Sequence, residues 1–144
     1  MRRWNILAKL GLVMSLSWAL GLQAAPPAPD DALQAQQVIR AQLAAFAADD
    51  AETAFSHATP EVRQRFGSAE RFVGMVRQGY PMVYRPASVA FMEAVDADGD
   101  VLQGVSIVDV SGRAWDVTYR LQRGADRRWR IAGCRAEPGS GLSI

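Results

Sequence analysis

The chain has 144 residues, 49% of them hydrophobic and 22% charged, with 16 basic residues against 15 acids. That length admits one domain with one core. A charge so close to balance lacks the basic excess of a nucleic-acid binder, and a single cysteine excludes an internal disulfide.

The amino terminus reads as an address. Arg2 and Arg3 precede an uncharged apolar run, Leu10 to Leu22, of 13 residues. A membrane span needs roughly 20. Basic, apolar and then small residues (Leu22-Gln23-Ala24) follow the order of a secretory signal peptide, with cleavage expected after Ala24. Arg2-Arg3 hints at twin-arginine export, but the polar Asn5 two places on favours ordinary secretion. A periplasmic or secreted location is therefore expected, with no membrane attachment after cleavage. Without Arg2, Arg3 and Lys9, 13 arginines face 15 acids, a net charge of −2.

A short proline-rich linker is expected over 25–31. Asp30 or Asp31 is expected to cap the first helix, because a short carboxylate accepts the free amides of a first turn. Ala35, Ile39, Leu43 and Phe46 then form one buried stripe to about Ala48. Asp49-Asp50 breaks the pattern and can cap a short second helix carrying Ala54 and Phe55. Thr59-Pro60-Glu61 starts a third, which carries Val62 and Phe66 and closes at Gly67. Ser68 opens a fourth, with Phe72, Met75 and Val76 on one face, ended by Gly79. Tyr80–Pro86 is expected to be extended, since each proline biases the residue before it away from helix.

From Ser88 the apolar period changes to two, the mark of strands with one buried face. Val89 and Phe91 begin a strand reaching about Val95. Asp96–Asp100 is a turn, and Val101–Val110 is a second strand. After Ser111-Gly112-Arg113, the stretch Ala114–Arg123 alternates: Trp115, Val117, Tyr119 and Leu121 face one way, Asp116, Thr118, Arg120 and Gln122 the other. Gly124–Arg127 turns the chain. Trp129, Ile131 and Gly133 then alternate with Arg128, Arg130 and Ala132, which places Cys134 on the face opposite Ile131. A mobile tail is expected over 138–144. Helices followed by an antiparallel meander make one α+β domain over 32–137, with the first helix laid across the Trp115/Tyr119/Trp129 face.

A set of local motifs resembles a known family. It comprises Ala45-Phe46, Asp49-Asp50, Ala54-Phe55, Ala58-Thr59-Pro60, Arg65-Phe66-Gly67, Tyr80-Pro81 and Tyr84-Arg85-Pro86. It continues with Gly112, Trp115, Tyr119 and Trp129-Arg130-Ile131-Ala132-Gly133-Cys134. Together these resemble the bacterial domain of unknown function 4864 family, over roughly Val38 to Arg135. That family is in turn similar to the cystatin-like cone of nuclear transport factor 2 and ketosteroid isomerase. The resemblance implies helices packed on a curved four-stranded sheet, often with a pocket between them. It implies no particular function, because that fold hosts enzymes, carriers and interaction modules.

Several constellations carry candidate chemistry. The aromatic set Tyr80, Tyr84, Trp115, Tyr119 and Trp129 reads first as core. In a cavity, the polar tips of Tyr80, Tyr84, Trp115 and Tyr119, with Gln103 and Arg85, are what a ligand would meet. His57, the only histidine, reads first as a residue ending the second helix, and second as a general base with Asp109 as the other available acid. Asp96, Asp98 and Asp100 resemble the start of a calcium loop, but Val101 and Ile107 occupy the places that need glycine and glutamate. Asp98-Gly99 reads as a hairpin turn. Arg120, Arg128 and Arg130 read as a solvated sheet face; if Asp116 and Arg120 instead meet a second copy, that face is a homodimer interface. Cys134 reads as a half-buried filler, or as a reactive or bridging thiol. No nucleophile elbow, phosphate loop or metal-ligand spacing is present, so no catalytic residue, metal or cofactor is assigned. The expected function is non-enzymatic binding of a small apolar ligand or a partner protein in the cone. The alternatives are a cofactor-free isomerase or dehydratase using His57 or Asp109, and a structural dimer with a filled core.

Overall fold

The computed structural model describes residues 24–140, so the expected signal peptide lies outside the described residues. The elements run α1 (Pro29–Ala47), α2 (Ala51–Ser56), α3 (Pro60–Phe66), α4 (Ala69–Gly79) and α5 (Pro81–Tyr84), then β1 (Pro86–Ala97), β2 (Asp100–Asp109), β3 (Ala114–Arg123) and β4 (Trp129–Pro138). The strands form one curved sheet in the order β1-β2-β3-β4, each antiparallel to the next. This is the expected α+β architecture.

Side-chain caps set three of the helix starts. Asp50 accepts from Thr53 N at 3.2 Å, Thr59 from Val62 N at 3.4 Å and Ser68 from Arg71 N at 3.2 Å. Each removes one of the orphan donors of a first turn. Gly67 ends α3 at φ +80°, a left-handed conformation open to glycine.

α1 starts differently. Pro29 is its first residue and Ala28 its cap, with no side-chain bond. Asp30 and Asp31 sit inside the first turn, where their charge offsets the positive end of the helix dipole instead of capping it. The expected linker is accordingly shorter, and its Ala25 O accepts from Asp96 N at 2.9 Å. The expected extended segment after Gly79 is also partly helical. Proline restricts the residue before it, and Tyr80 is indeed non-helical at φ −135°. Pro81 itself fits the first helical position, where its missing amide costs nothing, so Pro81–Tyr84 closes one turn.

The sheet turns one face to the helices. Val101, Gln103, Val105 and Ile107 of β2 and Val117, Tyr119 and Leu121 of β3 are buried. Trp115 pairs with Ile107 and shares that face with Tyr119. α1 packs onto β2 and β4, with Ile39 0% and Phe46 1% exposed. Burying such side chains contributes about 2–3 kcal/mol each, which makes this contact the main stabilising term.

Besides a register shift at Ala87, where β1 begins, two bulges break the alternation inside the strands. In β1 the register passes from Phe91↔Val105 to Ala94↔Gln103, so Met92 and Glu93 oppose Gly104 alone. In β4 it passes from Ile131↔Leu121 to Gly133↔Arg120, which leaves Ala132 as the extra residue. One extra residue exchanges the two faces from that point on. Hence Ala94 is buried, not Val95. Cys134 pairs with Tyr119 on the core side, which corrects the expectation that it lies opposite Ile131. β4 still pairs at Pro138, and Gly139 N donates to Ala114 O at 2.9 Å, so ordered backbone extends past the expected start of the tail.

Candidate functional site

Between the helices and the sheet lies a cavity of about 260 Å³. Phe46 of α1, Phe66 of α3 and Phe72 and Val76 of α4 form its helical wall, while Tyr119 and Ile131 form the strand floor. The wall is built by ordinary amphipathic logic. α1 lays its apolar stripe on the sheet, while α4 packs its buried face against α2, α3 and α5.

Three polar groups meet this apolar space. The Tyr119 hydroxyl is buried and has no hydrogen-bond partner among the described residues. Burial also pushes its pKa well above the ordinary tyrosine value, so it stays a neutral donor. Gln42 donates from Nε2 to Ala54 O at 3.1 Å, which leaves its Oε1 without a protein partner among the described residues. The Cys134 thiol is driven up to about 12 by desolvation. Tyr80 also lines the cavity but spends its hydroxyl on Cys134 O at 3.2 Å. Arg65 is the charged lining residue and is exposed.

Of the five candidate ligand-binding residues, Tyr80 and Tyr119 meet at this cavity, while Tyr84, Trp115 and Gln103 hold the fold together elsewhere. The Tyr84 hydroxyl donates to the Asp49 carboxylate and accepts from Arg77 Nη2 at 3.0 Å. Arg85 joins this network through Asp49 at 2.8 Å and the Phe46 carbonyl. These bonds to Tyr84 and Arg85 hold the Asp49 carboxyl below the usual carboxylate range. Trp115 Nε1 donates to Asp109 at 2.9 Å. Gln103 is fully buried and serves the β1 bulge: its Nε2 donates to Met92 O at 2.7 Å and its Oε1 accepts from Gln36 at 3.3 Å. A carbonyl that the bulge leaves out of the ladder is thereby satisfied.

Neither candidate base reaches the cavity. The Asp109 carboxylate accepts from Ser111 N, Ser111 Oγ, Arg113 N and Trp115 Nε1, all at 2.6 to 3.0 Å. These bonds favour the charged form and hold its pKa far below the carboxylate range, so it is a turn-closing group and a poor proton acceptor. His57 caps the carboxyl end of α2, and its ring lines a separate groove with Arg63, Arg127 and Arg128. Partial burial lowers its pKa. Its carbonyl accepts from Ile131 N at 2.8 Å, and Thr59 N donates to Ile131 O at 3.0 Å. This short parallel bridge covers part of the outer edge of β4. The isomerase reading thus loses the geometry it needed from both residues.

Elsewhere some of the charged side chains pair with one another. Asp98-Gly99 forms the expected hairpin turn, with φ +53° and +90°. On the outer sheet face Arg120 pairs with Asp100 at 2.7 Å and Arg135 with Glu137 at 2.9 Å. Among the described residues no helix is long and apolar enough to cross a membrane.

The cavity residues that sequence reasoning missed are mostly plain apolar positions of α3 and α4, which carry no signal beyond burial. Gln42 is the exception: a polar residue inside the apolar stripe of α1 was a visible anomaly.

A search of curated proteins found no match. The family model described as domain of unknown function (DUF4864) matches residues 28–143, which takes in every element from α1 to β4. The chain belongs to this family.

Proposed function

We propose that the protein is an exported, non-enzymatic binding domain that holds a small apolar molecule bearing one hydrogen-bond acceptor. The observation that carries this reading is the Tyr119 hydroxyl, without a partner among the described residues, at a mostly apolar cavity. A buried donor without an acceptor costs about 1–3 kcal/mol. A carbonyl or ether oxygen on a ligand would recover much of that cost, while the phenylalanines supply apolar contact. The volume of about 260 Å³ matches a single ring with short substituents, given about 30 Å³ for each water displaced. Arg2, Arg3 and the apolar run Leu10–Leu22 support export.

The test is NMR titration of the mature chain with cyclohexanone and with methylcyclohexane, which are alike in size but differ in the acceptor. Shifts at the Ile131 and Val76 methyls are expected with both, and tighter binding with the ketone. Tyr119→Phe is expected to abolish that preference, and native mass spectrometry of the protein from its own host to reveal a co-purifying small molecule. The reading falls if neither probe moves those methyls, or if Val76→Phe, which fills the cavity, leaves the titrations unchanged.

A further inference from the structure

We infer that the groove between α1 and the β3–β4 turn is a second binding site, for a small oxyanion carrying at least two negative charges, either a phosphate or a polycarboxylate group. The groove has a volume of about 540 Å³. Gln34 and Gln37 of α1 form one wall, and Arg63 of α3 with Arg127 and Arg128 of the turn form the other. Val38, Ala41 and Trp129 add apolar surface; among the described residues the Trp129 Nε1 is itself buried and unpartnered, and no carboxylate lines the groove.

Its charge is unbalanced. Arg130 is held by Asp126 through two bonds, at 3.0 and 2.7 Å. Arg63, Arg127 and Arg128 form no ion pair among the described residues. The chain beyond its amino terminus carries 13 arginines against 15 acids, yet three guanidinium groups without a direct ion pair gather here, and Asp126, already bonded to Arg130, is the acid whose charge reaches Arg128. Like charges in one groove repel, and a bound anion relieves the repulsion.

Two further details point to an oxygen-bearing ligand. Arg63 is half-buried at the groove, and its Nε has no acceptor among the described residues, so the hydrogen bonding of this side chain is incomplete in the empty protein. Arg127 sits at φ +66°, a conformation that glycine takes freely and arginine rarely. The tight turn thus carries a cation where its backbone favours glycine. Guanidinium forks match the paired oxygens of phosphate and carboxylate, and the Gln34 and Gln37 amides add neutral donors. This groove and the cavity at Tyr119 share no lining residue, so the two sites stand or fall independently.

Isothermal titration of the mature chain with sodium pyrophosphate and with sodium citrate tests the inference, with ionic strength matched by sodium chloride. Saturable one-site binding is expected for at least one of them, and comparison of the two tells phosphate from carboxylate preference. Arg127→Gly is expected to fold at least as stably, because glycine suits the positive φ, yet to bind roughly 3–5-fold more weakly. Arg63→Gln is expected to cost roughly tenfold or more. Arg128→Gln serves as a second surface variant, so a folding defect in any one leaves the test intact. Heats no larger than those of sodium chloride, or equal affinity in all three variants, would overturn the proposal.

Discussion

Tyr119 and Cys134 stand opposite each other on the core side of the β3–β4 ladder. They meet only because Ala132 is an extra residue in β4, which exchanges the faces of everything after it. The pair brings a hydroxyl and a thiol to the same apolar cavity, and burial keeps both of them neutral.

Cys134 is therefore expected to be a slow thiol. With its pKa driven up to about 12, the thiolate population at pH 8 is about a thousandfold smaller than that of a free cysteine near pKa 8.5. Iodoacetamide labelling of the native protein at pH 8, followed by mass spectrometry, is expected to lag unfolded protein by a factor of that order. Labelling at the rate of the denatured chain would place the side chain in solvent.

Removal of the Tyr119 hydroxyl is expected to be harmless to the empty protein. Tyr119→Phe deletes a buried donor that has no acceptor, so urea unfolding is expected to show unchanged stability or a gain of about 1 kcal/mol. A loss of 2 kcal/mol or more would mean that the hydroxyl has a partner in the folded chain.

Gln103 behaves in the opposite way. Gln103→Leu keeps most of the volume but strips Met92 O of its donor, and a destabilisation of about 1–3 kcal/mol is expected in the same urea assay. Amide hydrogen exchange is expected to rise around Met92 and Glu93, where the bulge loses its support. A neutral substitution would mean that water satisfies this carbonyl.

Acid stability follows from Asp109. Its folded pKa lies below its unfolded value, so its contribution is complete above the unfolded pKa, near 3.9. As pH falls below about 4 the unfolded chain takes up the proton first, and stability declines until the folded carboxyl is protonated as well. Urea midpoints are expected to hold from pH 7 to about 5 and then fall toward pH 2. Asp109→Asn is expected to start lower at pH 7 and to show a shallower acid-side slope. Equal slopes in the two proteins would assign the acid sensitivity to other carboxylates, such as Asp126, which Arg130 holds at about 2.

Local pattern determined the kinds of element. The spacing of Ile39, Leu43 and Phe46, the caps Thr59 and Ser68, and the alternation of Trp115, Val117, Tyr119 and Leu121 each act within a few residues, and all appear as read. Tertiary structure decided the side on which Ala94 and Cys134 emerge, because a bulge is defined by the partner strand and leaves no local mark. It also decided that Tyr84, Trp115 and Gln103 spend their polar groups on the fold, since Asp49, Asp109 and Met92 reach them only after packing. The cavity and the arginine groove each draw on segments tens of residues apart, so no window of sequence contains either one.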